Sequence, residues 1–272
     1  EDSADVARLH NNLGGAWHAL GEYEKAISYF EQALDSDLKT YGEDHPQVAI
    51  RQSNLGSAWK ALGRHEKAIG YFEQALVSDL KTYGEDHPRV ATGRNNLGSV
   101  WHALGQYDKA IIFYEHSLAS DLKTYSEDHP NVAAERNNLG LVWDVLGQYE
   151  KAIDYYEQAL ASYLKTYGED HPNVATERNN LGSAWNDLGQ YEKAINYFEQ
   201  ALVSDLKTYG EDHLNVAIRH NNLGRAWQAL GQYEQAIGYY EQALDGFVQS
   251  LGEDHPNTKL VSENLKRAKN ES

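Results

Sequence analysis

The sequence predicts an all-α solenoid of six helix-turn-helix repeats, each 42 residues long, followed by a C-terminal capping helix. Three observations carry this. Leu-Gly recurs at Leu13-Gly14, Leu55-Gly56, Leu97-Gly98, Leu139-Gly140, Leu181-Gly182 and Leu223-Gly224. All six tryptophans, Trp17, Trp59, Trp101, Trp143, Trp185 and Trp227, keep the same period. Inside each period, two runs of helical spacing are separated by glycine. A period of this length marks an array of stacked supersecondary units, each touching mainly its neighbours. The units are 1–42, 43–84, 85–126, 127–168, 169–210 and 211–252, with the cap at 253–272, read as one continuous array.

Residues 43–84 show the logic. Glu43-Asp44-His45-Pro46 is a helix-start signal, with polar capping candidates and then proline at about the first helical position. The first helix should run to about Leu62, where Gly63 stops it. Val48, Leu55, Ala58, Trp59 and Leu62 fall on one apolar stripe. A second helix is expected from near His65 to about Tyr83, with Ala68, Ile69, Phe72, Ala75, Leu76, Leu80 and Tyr83 at spacings of three and four. Neither helix pair can bury its stripe alone, so neighbours must stack. Gly56, Ala68 and Ala75 leave room for close helix approach. A glycine inside a helix costs roughly 1 kcal/mol against alanine, so its return in every unit points to a packing reason.

Some copies depart from the rule. Ser126 stands where others have glycine, Leu214 replaces proline and His65 replaces tyrosine, and only local adjustment is expected. Glu1-Asp2-Ser3-Ala4 reads as a degenerate helix start with no polar capping helix before it. A last helix is expected at about 257–270, where Lys266 takes the glycine position and Lys269 the tryptophan position. No second helix follows to receive a tryptophan, so the site becomes polar, as a terminal cap requires.

Composition narrows the function. The net charge of −17 opposes nucleic acid as a partner, because phosphate binding needs a basic stripe. It also opposes docking on anionic membranes. No cysteine is present, which removes disulfides and thiolate metal sites. There is neither a spanning apolar run nor a signal peptide, so a cytoplasmic location is expected. Methionine is absent even at residue 1, as in an excised region or an engineered array.

Asn54-Leu55-Gly56, Trp59, Gly63, Ala68, Phe72 and Ala75 resemble the tetratricopeptide repeat in order and spacing, with Trp59 where that family usually has tyrosine. The resemblance covers nearly the whole chain. The usual unit is 34 residues long. The eight extra residues here lie within 78–86 and lengthen the second helix by about two turns, roughly 12 Å. The form Tyr-Gly-Glu-Asp-His-Pro-x-Val-Ala is similar to the kinesin-light-chain type of these repeats. The resemblance implies a right-handed superhelix whose first helices line a concave face that binds an extended peptide.

The binding candidates are the asparagine pairs. Asn12, Asn54, Asn96, Asn138, Asn180 and Asn222 form one row, and Asn95, Asn137, Asn179 and Asn221, with Asn11, form the other. They lie off the apolar stripe, and asparagine is a mediocre helix former, so neither packing nor propensity demands it. Each amide carries a donor and an acceptor suited to a peptide backbone. Stacked helices would place copies roughly 10 Å apart. The alternative is that the second asparagine bonds the neighbouring repeat. Around this row the positions of Ile50, Ser57, Lys60 and Ala61 drift between copies, as side-chain selection would require.

Arg94, Arg136 and Arg178 are candidates for forked recognition of a carboxylate. Their alternative is pairing with nearby acids, Glu135 and Glu177 being adjacent. The slot holding Leu9, Arg51, Gly93, Glu135, Glu177 and Arg219 lies near the apolar arc by angle, although its place in the first turn suggests exposure. Tyr29, Tyr71, Phe113, Tyr155, Tyr197 and Tyr239 either pack between repeats or form an outer aromatic row.

The Glu-Asp-His clusters cap helices better than they hold zinc, since consecutive residues diverge and a metal needs three or four converging ligands. There is no phosphate loop, metalloprotease pair or nucleophile elbow. The expected function is therefore a non-enzymatic protein-interaction scaffold that needs no cofactor and binds a protein or peptide. The alternative is self-association by end-to-end stacking through the first unit.

Overall fold

Every first helix after the opening one starts at a histidine. His45, His87, His129, His171, His213 and His255 each accept, at Nδ1, the backbone N–H of the residue two further on, at 3.2 Å. This satisfies one of the four orphan donors at a helix start, and the following proline, where present, has no donor to lose. Each second helix but one ends at a glycine in the left-handed region, such as Gly84 with φ 82°, a conformation that costs other residues more. Across that turn Tyr83 stacks on His87 with ring centroids 4.3 Å apart, as Tyr41, Tyr167 and Tyr209 stack on their histidines.

The computed structural model describes residues 4–272, which hold thirteen α-helices and no strand. Glu1-Asp2-Ser3 of the expected first helix start lies outside them. The first helices are α1 (Ala4–Ala19), α3 (Pro46–Ala61), α5 (Pro88–Ala103), α7 (Pro130–Val145), α9 (Pro172–Asp187) and α11 (Leu214–Ala229). The second helices are α2 (Tyr23–Tyr41), α4 (His65–Tyr83), α6 (Tyr107–Thr124), α8 (Tyr149–Tyr167), α10 (Tyr191–Tyr209) and α12 (Tyr233–Leu251), and α13 (Pro256–Glu271) is the cap. The three departures are local. Leu214 still begins α11 behind the His213 cap, and His65 begins α4. With Ser126 in place of glycine, α6 ends one residue early on an extended Tyr125.

The chain forms two compact units, Glu1–Ser126 and Glu127–Ser272. Within each, helices pack in sequence order. Successive first helices approach each other (α1 with α3, α3 with α5; α7 with α9, α9 with α11, α11 with α13), while the backbones of successive second helices stay farther apart. Large side chains bridge that wider spacing. Tyr71 reaches the cluster of Ile27, Phe30 and Leu34, and Tyr239 that of Ile195, Phe198 and Leu202. These aromatics pack between repeats.

The glycine of each Leu-Gly pair faces an aromatic ring on the second helix of its own repeat. A Cβ on Gly56 would lie 2.7 Å from Phe72, and one on Gly140 2.5 Å from Tyr156. Any side chain here would overpack against the ring, which accounts for a glycine despite its helix-propensity cost. The tryptophans join repeats: Trp59 belongs both to the Phe30 cluster and to the Phe72 cluster. A lysine lies over the ring, Lys67 being 3.9 Å from the centroid of Trp59, a cation–π contact.

The extra length of the second helix grips the loop that opens the same repeat. Ser120 and Thr124 donate to the carbonyls of Glu85 and Asp86, and Lys123 pairs with the Asp86 carboxylate at 2.8 Å. Ser162, Thr166 and Lys165 repeat this on Glu127 and Asp128.

Most of the slot expected to be exposed is instead buried, at Arg51, Glu135, Glu177 and Arg219, while Leu9 is exposed. Arg51 is 6 % exposed and Glu177 2 %. The first-turn position faces the last turns of the preceding second helix, so it is a joint between repeats. Arg51 Nε donates to Asp37 at 2.8 Å and Arg219 Nε to Asp205 at 2.9 Å. Burial raises the pKa of Asp205 and lowers that of Arg219 against the pull of the pair itself. Among the described residues no ion pair forms at Glu177; burial pushes its carboxyl up to about 8, opposed by its hydrogen bond with Asn180.

At the far end Lys269, at the tryptophan position, pairs with Glu241 at 2.7 Å, and Lys266 is exposed. The cap is polar as expected.

Candidate functional site

Because the first helices approach one another in each unit, their shared face brings together the side chains that the stacking stripe leaves over. The two asparagine rows meet there. Asn54 Nδ2 donates to Asn11 Oδ1 at 2.7 Å, Asn180 to Asn137 at 3.0 Å and Asn222 to Asn179 at 2.8 Å. The second asparagine of one repeat thus bonds the first of the repeat before it, the structural alternative weighed above. These bonds use one donor and one acceptor of each pair and hold the amides in a common direction. Both rows stay half-buried along α3, α5, α7, α9 and α11, while Asn12 on α1 is exposed. Asn95, Asn96 and Asn138 take the equivalent places on α5 and α7.

The arginines are engaged elsewhere. Arg94, Arg136 and Arg178 each pair with the glutamate nine residues earlier, Glu85, Glu127 and Glu169. Arg94 and Arg136 also donate to the backbone carbonyl of that glutamate, at 3.2 and 3.0 Å. The partner is the loop glutamate rather than the adjacent Glu135 or Glu177, which lie in the buried joints. The three residues of Glu-Asp-His therefore serve three separate ends. The glutamate holds an arginine, the aspartate holds a lysine and the histidine caps the helix. Among the described residues no group of three metal-ligating side chains converges.

The drifting positions surround the asparagines and differ in charge between the units. In the first, Lys60 Nζ donates to Ser99 Oγ at 2.8 Å, and Ser99 donates on to the carbonyl of Asn96 at 2.7 Å. Burial lowers the pKa of Lys60. It also lowers that of His102, with the Lys60 charge as a further cause. In the second unit, Asp144 occupies the position of Lys60. Burial first, and then the charge of Asp187, push its pKa up to about 6. Tyr240 donates to Gln228 Oε1 at 3.0 Å from beneath the same row. In each unit the result is a polar, half-exposed strip of amides and hydroxyls.

No helix among the described residues is long and apolar enough to cross a membrane.

The family model described as tetratricopeptide repeat matches residues 5–77, 60–123, 90–161, 137–203, 178–247 and 220–271. Among solved structures, BtubC (BKLC) from P. vanneervenii is similar at 23 % identity and a TM-score of 0.74, over 86 % of this chain and 94 % of that one. A putative kinesin light chain with nearly identical repeats from P. anserina is 26 % identical with a TM-score of 0.67, over 76 % of this chain and 98 % of that one. The apo form of RapI is 16 % identical with a TM-score of 0.75, over 97 % and 71 %. No curated protein sequence matches the chain.

Proposed function

The chain belongs to the tetratricopeptide repeat family, in the long kinesin-light-chain-like form, whose arrays generally serve as protein-interaction scaffolds, and from that premise we propose that the shared face of the first helices binds an extended segment of a partner protein. The single observation that carries this reading is where the copies differ. The Leu-Gly-Trp stacking stripe repeats almost unchanged, whereas the positions of Ile50, Ser57, Lys60 and Ala61 vary around the row of Asn54 and its equivalents, which is kept in every copy. Constant amides suit a peptide backbone, and varied neighbours suit its side chains. Amides held by their mutual hydrogen bonds cost less entropy to engage. Arrays of this family are generally non-enzymatic, and the site holds nothing that argues otherwise. A cytoplasmic setting fits the reading.

Selection from a random peptide display library, using the intact chain, tests it. Arg225 stands naturally at the position of Ser57 and Ser183, so Ser57→Arg and Ser183→Arg should leave the melting temperature unchanged. They are expected to weaken the selected peptides at least tenfold by filling the face. Unchanged binding in both variants would refute the proposal.

A second reading rests on α1. Leu9 is 58 % exposed and Leu13 36 %, although the equivalents of Leu13, from Leu55 to Leu223, are buried. We propose that a second copy can cover this face. Sedimentation over a concentration series should then show association that Leu9→Glu abolishes; a monomer throughout rejects it.

A further inference from the structure

At the joint between the second and third repeats the side chain found at other joints is missing. Arg51 and Arg219 fill their slots and pair with Asp37 and Asp205; the equivalent residue on α5 is Gly93. The acid of this joint is kept, for Asp79 is buried. Its partner comes from a different direction. Arg89 Nε lies 3.0 Å from Asp79 Oδ1 and Nη2 3.3 Å from Oδ2. The other copies hold Gln47, Asn131, Asn173, Asn215 and Asn257 at that position. The charge is thereby satisfied from the side, and residue 93 puts no side chain of its own into the slot.

What remains is a cavity of about 150 Å³ bounded by α3, α4 and α5. Ile50, Phe72, Ala75 and Gly93 supply apolar wall. Ser53, Asn54 and Thr92, on the asparagine-bearing face, supply polar lining. A cavity of about this size has room for a molecule such as benzene. Asp79 and Arg89 also line it and are paired with each other, so no unpaired counter-ion awaits a charged group, and burying an uncompensated charge is costly.

We propose that this cavity is a side-chain pocket for a compact aliphatic residue, leucine-sized, of the segment bound along the first helices. The inference rests on the peptide-binding reading above and names a subsite within it. Gly93 opens the pocket, the Asp79–Arg89 pair in its wall balances its own charge, and Asn54 and Thr92 lie where the backbone of the bound segment passes.

N-acetyl-leucine methylamide is the probe, with N-acetyl-glycine methylamide as control, titrated into the ¹⁵N-labelled chain. The leucine compound should shift the amides of Asn54, Thr92 and Gly93 saturably, and the glycine compound should bind at least tenfold more weakly. Gly93→Arg and Gly93→Leu should both lose the response. An added Cβ at Gly93 would meet Leu76 Cδ1 at 3.2 Å, the end of a flexible side chain, so retained helix content is expected. Equal response to the two compounds, or an unchanged leucine response in folded Gly93 variants, overturns the proposal. Should both variants unfold, the leucine-over-glycine preference and the location of the shifts in the wild-type chain decide. A display-selected peptide that binds wild type and Gly93→Arg equally well sinks the pocket and leaves the wider groove reading standing. A leucine response at Gly93 with no peptide selected at all does the reverse.

Discussion

Replacing Glu177 with glutamine is expected to stabilise the chain above pH 5, and by more as the pH rises to 8. The carboxyl is 2 % exposed, and its Oε2 has no hydrogen-bond partner. It faces Tyr163, whose own pKa burial raises, with Glu177 among the further causes, and it is hydrogen-bonded to Asn180. Its folded pKa of about 8 stands above the ordinary 4.5. Below pH 4.5 both folded and unfolded chains hold the proton, and the group has no effect on stability. Between the two values the unfolded chain has released it and the folded chain has not, so stability falls as pH rises and reaches its floor above about 8. At about 1.4 kcal/mol per pKa unit, discounted for relaxation around the ionised group, the loss is on the order of 2–4 kcal/mol. Glutamine keeps the shape and cannot ionise. Urea unfolding of both proteins at pH 4, 6 and 8 should give a difference that opens from near zero and levels off; parallel profiles would rule the assignment out.

The second large effect belongs to the Asp205–Arg219 joint. Arg219→Ala leaves a carboxylate inside the array without a cation, and breaking a buried pair in this way costs about 3–5 kcal/mol. Removing both charges together, as Asp205→Leu with Arg219→Met, should cost far less, because neither ion then has to leave water. The mutant cycle, measured by denaturant unfolding, should therefore show strong non-additivity. A double variant as unstable as Arg219→Ala would mean that shape, not charge, governs the joint.

Most of the fold is legible from local signals. His-Pro marks nearly every first-helix start, Gly63 and its equivalents mark the stops, and Leu-Gly with tryptophan marks the stacking stripe. These depend on residues close together in the chain, so periodicity exposes them. The joints are harder. Arg51 meets Asp37 fourteen residues earlier, across a turn, and its first-turn position suggests solvent. The paired columns carry only a partial signal: Asp37 and Asp205 stand opposite Arg51 and Arg219, and Tyr163 and Phe247 opposite Glu177 and Val261, but Asp79 and Asp121 stand opposite Gly93 and Glu135. The arginines at 94, 136 and 178 mislead for a similar reason, since their partners sit nine residues back in a loop. At the asparagines, residue type alone does not divide backbone-binding from structural duty. The structure shows the structural bond, and the peptide experiment bears on the other half.

The joints also bear on whether one repeat can stand in for another. Because each repeat touches mainly its neighbours, removal of a whole period would leave the helices and their caps as they are. The interiors of the joints are not interchangeable, however. Loss of one period between the fourth and sixth copies would set Tyr163 against Arg219 and bury a guanidinium with no carboxylate to meet it. The buried side chains of the joints thus make copies that look alike from outside unequal at their seams.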